Sequence, residues 1–252
     1  MANTEIVLHG VGKGMAVYQD GSVVPFTNAQ DISIEISTTE EDVFGGDGLF
    51  PILSFVKEKG GTVKITNATT TVDHLKLTQS ATVDTATAKA FKFSDVKTPT
   101  SGSCTLSVVT GVDVDSVTCV DTVTGKALTR VTGSVVKTGE FSVTTAGVVT
   151  VDSALKNKLD FSYFYTSAKA VTATVPTNGL PGTIEYRHHL VTEDVDGKKY
   201  NVYFRIYKAK CSGKFTFDLK RGSASAPALE FKLLDPKRDD NAFMDYTIEE
   251  VA

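Results

Sequence analysis

An acid- and glycine-rich stretch, TTEEDVFGGDGLFPI (38–52), comes closest in residue type to a chemical site. Carboxylates and glycines build loops that hold calcium or phosphate. A calcium loop needs oxygen ligands at fixed spacing, which the acids of this stretch lack. These acids are Glu40, Glu41, Asp42 and Asp47. A phosphate loop needs a lysine after its second glycine, and no Lys or Arg lies between Lys13 and Lys57. The stretch therefore favours a turn over a metal or phosphate site.

The other groups that could act in catalysis are scattered along the chain. His188 and His189 are adjacent, so in a strand they point to opposite faces and cannot chelate one ion together. No G-x-S-x-G motif is present, and no cysteine has a neighbourhood that would activate it. We therefore expect no catalytic residue, no metal and no cofactor, and we do not expect an enzyme.

The composition is that of an ordinary globular chain with a preference for β structure. Its 252 residues are 41% hydrophobic and 22% charged, enough for one large domain or two small ones. Thr, Val and Ser, which are prominent throughout, suit pleated and half-buried surfaces. The three cysteines form no C-x-x-C pair and indicate free thiols. No apolar run is long enough for a membrane span, and we expect neither a signal peptide nor a membrane partner.

The charge distribution argues against a protein that grips nucleic acid. The net charge is −4, whereas tight binding of DNA requires Lys and Arg to neutralise phosphates. The asymmetry is strongest over residues 14–56, which hold seven acids and no Lys or Arg.

Alternation of apolar and polar residues predicts antiparallel strands with one buried face. In DISIEIS (31–37), three isoleucines share one face, and the acids Asp31 and Glu35 share the other. The segments that alternate in the same way are 61–67, 200–210, 214–220 and 228–234. The chain is therefore predicted to be mainly β.

One segment, DGLFPILSFVKEKGG (47–61), departs from this pattern. Its apolar residues fall at i, i+3, i+4 and i+7, the spacing of an amphipathic helix. These residues are Leu49, Ile52, Leu53 and Val56. Pro51 suits the first turn of a helix, and Gly60 suits its end. We predict a helix over about residues 49–59 that packs this apolar face on a sheet, with the acid-glycine stretch as the turn leading into it.

Residues 79–103 are small and polar, with weak patterning, and predict a long loop or extended arm. Short predicted strands separated by turns follow from 104 to 175.

Three stretches together resemble the tail tube (major tail) proteins of bacteriophages and related virion structural proteins. The first runs from the strand at 31–37 through LFPI to GGTVKITNATTTVDHLKL (60–77). The second is GEFSVTTAGVVTVDSALKNKLDFSYFYTS (139–167), and the third is the ending from VYFRIYKAK to DYTIEE (202–250).

The resemblance implies an antiparallel β-sandwich or barrel with one flanking helix and long loops. On this basis we expect a tail-tube-like core of residues 1–78 plus 177–252. Residues 79–176 would then form a long loop or arm, an additional β subdomain, or a continuation of the core. The resemblance also implies a non-enzymatic protein of the virion tail, made in the host cytoplasm, that self-assembles into hexameric rings stacked as a tube.

The partners implied are further copies of the chain, the tape measure protein, tail completion proteins and a sheath, with DNA passing through without specific binding. A channel for DNA should not hold DNA, so an acidic inner wall is physically reasonable. Asp31 and Glu35 are the candidate lumen-facing acids, and an ordinary solvated strand face is the alternative. Other roles left open are a capsid decoration or adhesin-like virion protein, and a glycan-binding or carbohydrate-active domain.

Overall fold

The computed structural model describes residues 6–133, 136–217, 219, 221–222 and 226–251. The chain divides into two compact units, one of residues 1–82 with 173–252 and one of residues 83–172. Both consist mainly of antiparallel strands, and the described residues contain one α-helix, which confirms the predicted mainly β fold with one helix.

The first part of the chain contains five strands and the helix. These are β1 (Ile6–Val7), β2 (Lys13–Tyr18), β3 (Val23–Phe26), β4 (Ala29–Val43), β5 (Leu53–Asn67) and α1 (Val72–Gln79). Eight strands and a 3₁₀ turn (Val114–Ser116) follow: β6 (Thr82–Asp84), β7 (Lys89–Lys97), β8 (Ser103–Thr105), β9 (Thr118–Asp121), β10 (Ala127–Arg130), β11 (Glu140–Val143), β12 (Val148–Val151) and β13 (Leu159–Thr166). The last five strands are β14 (Thr172–Thr174), β15 (Thr183–Asp194), β16 (Lys199–Cys211), β17 (Ala228–Leu233) and β18 (Met244–Glu250).

The first unit is built on a nine-stranded sheet in the order β3-β2-β15-β16-β17-β5-β4. β1 pairs with β15, and β18 pairs with β16 beside β17. All these pairings are antiparallel. Two short strands, β6 and β14, form a separate two-stranded sheet.

Alternation along the strands creates the core of this unit. In β15 and β17 every second side chain is buried, and Tyr186 and Phe231 are fully enclosed. The predicted strands at 31–37, 61–67 and 200–210 lie within β4, β5 and β16, and the one at 228–234 exceeds β17 by one residue. Ile32 and Ile34 pack against this core, as the isoleucine pattern predicts, whereas Ile36 is 43% exposed.

Helix α1 covers the buried face of the sheet through Leu77. Its first turn is closed by a capping box between Thr71 and His74, which satisfies backbone N–H groups that a helix leaves free. The His74 ring stacks on Phe26 with centroids 5.9 Å apart, and burial lowers the pKa of His74.

The predicted helix over residues 49–59 is wrong. Residues 53–59 begin strand β5, whose partner β4 runs antiparallel to it from Val43↔Leu53 to the base of the hairpin. The apolar face assigned to that helix is exposed in this chain: Leu49 is 93%, Ile52 71%, Leu53 58% and Val56 59% exposed. The spacing i, i+3, i+4, i+7 arises here because the apolar residues occupy a turn and both faces of a strand.

Two other expectations differ from the structure. The predicted strand at 214–220 is irregular over 214–217, and Asp218 and Lys220 lie outside the described residues. The stretch 79–103, expected to be a loop or arm, contains the nine-residue strand β7.

The second unit has a seven-stranded sheet in the order β7-β13-β9-β10-β11-β12-β8. All neighbours are antiparallel except β10 and β11, which are parallel. Its core forms where alternate residues of β13 (Leu159, Phe161 and Tyr163) meet Phe141 and Val149.

A buried carboxylate, Asp95 on β7, ties this second unit together. It accepts hydrogen bonds from the Ser107 N–H (2.7 Å), the Ser107 hydroxyl (2.7 Å) and the Tyr163 hydroxyl (2.8 Å), and Lys97 Nζ lies 3.3 Å away. Burial would raise the pKa of Asp95, but these donors more than offset it and hold the pKa below its usual value. The charged form of Asp95 therefore stabilises the fold.

We predict that Asp95→Asn weakens the second unit by about 1.5–3 kcal/mol at neutral pH, the range for hydrogen bonds to charged groups. Because the pKa of Asp95 is lowered by folding, this stabilisation is present above the unfolded pKa and is lost as pH falls through the folded pKa. The loss of stability caused by Asp95→Asn should therefore shrink below about pH 4. Hydrogen exchange of peptides from 89–165 measures this loss, and Asp115→Asn, at an exposed carboxylate, is the control. Equal protection in parent and Asp95→Asn at pH 7 would contradict the prediction.

Candidate self-association surfaces

A hairpin projects from the nine-stranded sheet. Strands β4 and β5 pair along 15 residues each, but only the base of the hairpin (29–37 with 60–67) has residues enclosed by the sheet. Residues 38–59, which we call the projecting hairpin, are exposed at every position. At the base, a Cβ on Gly61 would lie 2.3 Å from the Glu35 carbonyl oxygen, so the close approach of the two strands requires glycine there.

The end of the projecting hairpin is strongly apolar. Eight large apolar side chains are exposed on it: Val43, Phe44, Leu49, Phe50, Ile52, Leu53, Phe55 and Val56. Leu49 and Phe50, at the tip, are 93% and 84% exposed. Apolar patches of this kind on a soluble protein typically mark an interaction site, because their burial on association is favourable. The projecting hairpin is therefore the leading candidate for contact with another molecule.

The same hairpin is acidic. It carries five acids against two lysines, a net charge of −3. The acids are Glu40, Glu41, Asp42, Asp47 and Glu58. Lys57 pairs with Glu41 at 3.1 Å, and the Lys59 ammonium lies over the Phe243 ring, 5.1 Å from its centroid. Glu40, Asp42, Asp47 and Glu58 form no ion pair with the part of the chain that the structure describes.

Asp31 and Glu35 lie at the base of this hairpin, on the exposed face of edge strand β4. The register places Asp31 opposite Thr66, Ser33 opposite Lys64 and Glu35 opposite Thr62. Lys64 thus lies between the two acids on the neighbouring strand. On β17 the next positions across are Glu230 and Lys232. The face therefore mixes both signs of charge, because the neighbouring strands β5 and β17 bring lysines beside a strand whose own sequence has none.

A second polar face lies on strands β2, β15 and β16, opposite the core. We call it the basic face and define it by Lys13, Met15, Arg187, His189, Tyr203 and Arg205. Cross-strand pairs Lys13↔His189, Met15↔Arg187 and His189↔Tyr203 place these side chains side by side. The His189 and Tyr203 rings stack with centroids 4.9 Å apart.

Two arginines on this face oppose each other directly, Arg187 against Arg205. Like charges in that position repel, but the half-buried Glu185 carboxylate accepts from Arg187 Nε at 2.6 Å and Arg205 Nε at 2.8 Å. Burial would raise the pKa of Glu185, and the hydrogen bonds from Arg205 and Arg187 hold it below its usual value instead. One carboxylate therefore keeps two guanidinium groups in place at the surface.

Sequence reasoning did not identify the basic face. Its cations come from three different strands, β2, β15 and β16, so no local run of Lys and Arg marks it. The available signal was the alternation in YNVYFRIYKAK, which places Tyr203 and Arg205 on the wet side of one strand.

Neither a metal site nor a membrane-spanning helix is found among the described residues. They contain no group of three or more His, Cys, Asp or Glu side chains arranged to hold a metal ion. None of their helices has the length and apolar character needed to cross a membrane.

Comparisons with known proteins give a consistent result. The family model described as the YomU/Tube protein family matches residues 7–246. A relative described as the tail tube protein of Bacillus phage SPR is 26% identical over 231 residues, covering 88% of this chain and 81% of the relative.

The exposure of the projecting hairpin leads to a stability prediction. Leu53→Asp, measured on the unassembled chain, should change the free energy of unfolding by no more than about 0.5 kcal/mol, as surface substitutions usually do. Leu229→Asp, on the core side of β17 and 1% exposed, is the matched control and should cost several kcal/mol by burying an unpaired charge. Chemical denaturation followed by circular dichroism distinguishes the two. A loss for Leu53→Asp as large as that for Leu229→Asp would show that Leu53 packs within its own subunit.

Proposed function

The chain belongs to the YomU/Tube protein family, and we propose that it is the subunit of a bacteriophage tail tube, a structural protein that self-assembles into hexameric rings stacked end to end. The related tail tube protein of Bacillus phage SPR, which aligns with 88% of this chain, supports this role. In this role the protein acts by geometry and surface charge rather than by catalysis. Its place is the tail of the virion, after synthesis in the host cytoplasm.

The observation that carries the proposal is the projecting hairpin. Eight large apolar side chains on a solvated extension are unfavourable in an isolated subunit and favourable once a neighbour covers them. Among the described residues, β3 and β4 are the edge strands at the two ends of the sheet, and their outer backbone groups offer further sites for association. A subunit with such surfaces is suited to repeated contact with its own copies.

The other partners we propose follow from the same role. A tube encloses the tape measure protein during assembly and the DNA during passage, and it ends on tail completion proteins. In a contractile tail a sheath would surround it. None of these contacts requires a metal, a cofactor or specific recognition of DNA sequence.

Electron microscopy of the purified full chain tests the proposed assembly. The parent should form rings of one diameter, or tubes, whereas Leu49→Ser with Phe50→Ser should remain unassembled at the same concentration because the apolar contact is lost. Val195→Ser, which removes another apolar side chain 83% exposed outside the hairpin, should assemble like the parent. Parent protein that stays monomeric at all concentrations, or assembly by the tip variant equal to that of the parent, would contradict the proposal.

We also propose that the exposed face of β4 lines the channel, with Asp31 and Glu35 contributing negative charge that keeps DNA from adhering. Lys64 and Lys232 on the same face moderate that charge. The face would then be weakly repulsive rather than strongly acidic, a condition under which a duplex slides.

Replacing Asp31 and Glu35 with Lys should leave folding and ring formation intact, because both side chains are exposed. The resulting tubes should retain DNA at low salt and release it as salt rises. The matched control replaces Glu193 and Asp196 with Lys; these are two exposed acids at the end of the β15–β16 hairpin. DNA recovered with tubes by sedimentation measures the effect. If the Asp31/Glu35 variant retains no more DNA than the control, these acids do not line the channel.

A further inference from the structure

We propose that the projecting hairpin of one copy docks on the basic face of a second copy, with Leu49 and Phe50 in its hollow and the hairpin acids beside Lys13 and Arg187. The inference rests on the proposed self-assembly and goes beyond it by naming the receiving surface. The argument depends on an apolar fit and on complementary charge.

The receiving surface contains a hollow of about 450 Å³ within the basic face. Met15 and the Tyr203 ring supply apolar area there, and Met15 is 39% exposed. The cationic side chains of Lys13, Arg187 and Arg205 surround this apolar area. Such a hollow is suited to a large apolar side chain that has an acid close to it.

The tip of the projecting hairpin has that composition. Leu49 and Phe50 are the most exposed large apolar side chains of the hairpin, and Asp47 lies two residues before Leu49. Asp42 lies near the end of strand β4, which leads into the tip, and pairs with Ser54 on β5. The tip therefore presents an apolar anchor with carboxylates on its flank.

The unpaired charges of the two surfaces are opposite. The projecting hairpin has a net charge of −3. On the basic face, Glu185 pairs with Arg187 and Arg205, Asp245 lies opposite Arg205, and Glu249 accepts a hydrogen bond from the Tyr203 hydroxyl at 3.0 Å. Lys13 forms no ion pair among the residues that the structure describes, so it is free to meet an incoming acid. Complementary potentials of this kind select one docking partner and orientation over others.

A second copy is the occupant that these features favour over nucleic acid. DNA would contact the cations but would leave Leu49 and Phe50 exposed, whereas the hairpin satisfies both surfaces at once. Two tests on the full-length chain examine the proposal, one of position and one of charge.

The positional test uses disulfide formation between copies. Leu49→Cys protein is mixed with Met15→Cys protein under mild oxidation, and covalent dimers are identified on a non-reducing gel and by mass spectrometry of the linked peptides. The control replaces the partner with Val195→Cys, which is more exposed than Met15 (83% against 39%) and lies outside the basic face. The parent, which retains Cys104, Cys119 and Cys211, gives the background. Dimers linked from residue 49 to 15, at least about tenfold above the control, are expected, because linkage requires the sulfur atoms to meet within bonding distance.

The charge test uses reversal on each surface. Lys13→Glu with Arg187→Glu keeps Arg205 in place to hold Glu185, and Asp42→Lys with Asp47→Lys reverses the hairpin. Each pair should raise the concentration needed for half-assembly by at least about tenfold, and the combined four-substitution chain should recover most of that loss. Unchanged melting temperatures of the unassembled chains confirm that folding is retained.

The outcomes separate this proposal from the one on which it rests. Parent protein that forms no rings or tubes overturns the proposed function and this inference together. Parent protein that assembles, but gives no 49–15 linkage above the Val195→Cys control, overturns this inference alone. Absence of recovery in the four-substitution chain also overturns it. A further outcome would assign the basic face to nucleic acid instead. In that outcome the parent binds a labelled oligonucleotide, the variant Lys13→Glu with Arg187→Glu does not bind it, and no 49–15 linkage forms.

Discussion

The organisation of this protein depends on a mismatch between a hairpin and the sheet that holds it. Strands β4 and β5, of 15 residues each, pair from Ala29↔Asn67 to Val43↔Leu53, with register shifts between Ala29 and Asp31 and between Thr39 and Glu40. The sheet encloses only the base of the hairpin, where Val63 and Ile65 are fully buried. The remainder is a regular strand pair without a core of its own, and two-stranded hairpins are marginally stable alone. Its apolar side chains are thus left for another molecule to cover.

The sequence predicted the sheet better than it predicted this hairpin. Where one face of a strand is buried, alternation is enforced, as in the segments around Ile34, Val202 and Leu229, and the period of two is visible. Residues 49–59 lack that constraint, since neither face of the hairpin is buried within the chain. Their apolar residues are exposed on a turn and on both faces of a strand, so the helical spacing of Leu49, Ile52, Leu53 and Val56 was a coincidence.

Electrostatic features were less accessible from sequence, for a different reason. The deficit of basic residues over 14–56 is real, yet register brings Lys64 between Asp31 and Glu35. In the same way, Glu185 gathers Arg187 and Arg205 from two strands onto one carboxylate. Charge summed along a chain says little about charge across a sheet, because neighbours on adjacent strands are remote in sequence. The distribution of charge over the surface of the sheet therefore depends on the strand register.

The acidity of the projecting hairpin has a consequence for the symmetry of any complex this chain forms. Two identical hairpins, each with a net charge of −3, repel one another, so a two-fold contact of hairpin on hairpin is disfavoured. A contact in which a patch meets its own copy closes after two subunits, whereas a contact between two different patches leaves one of each free. Such head-to-tail association continues until rotation closes it into a cycle. The negative charge of the hairpin thus disfavours a dimer in which two hairpins pack on each other.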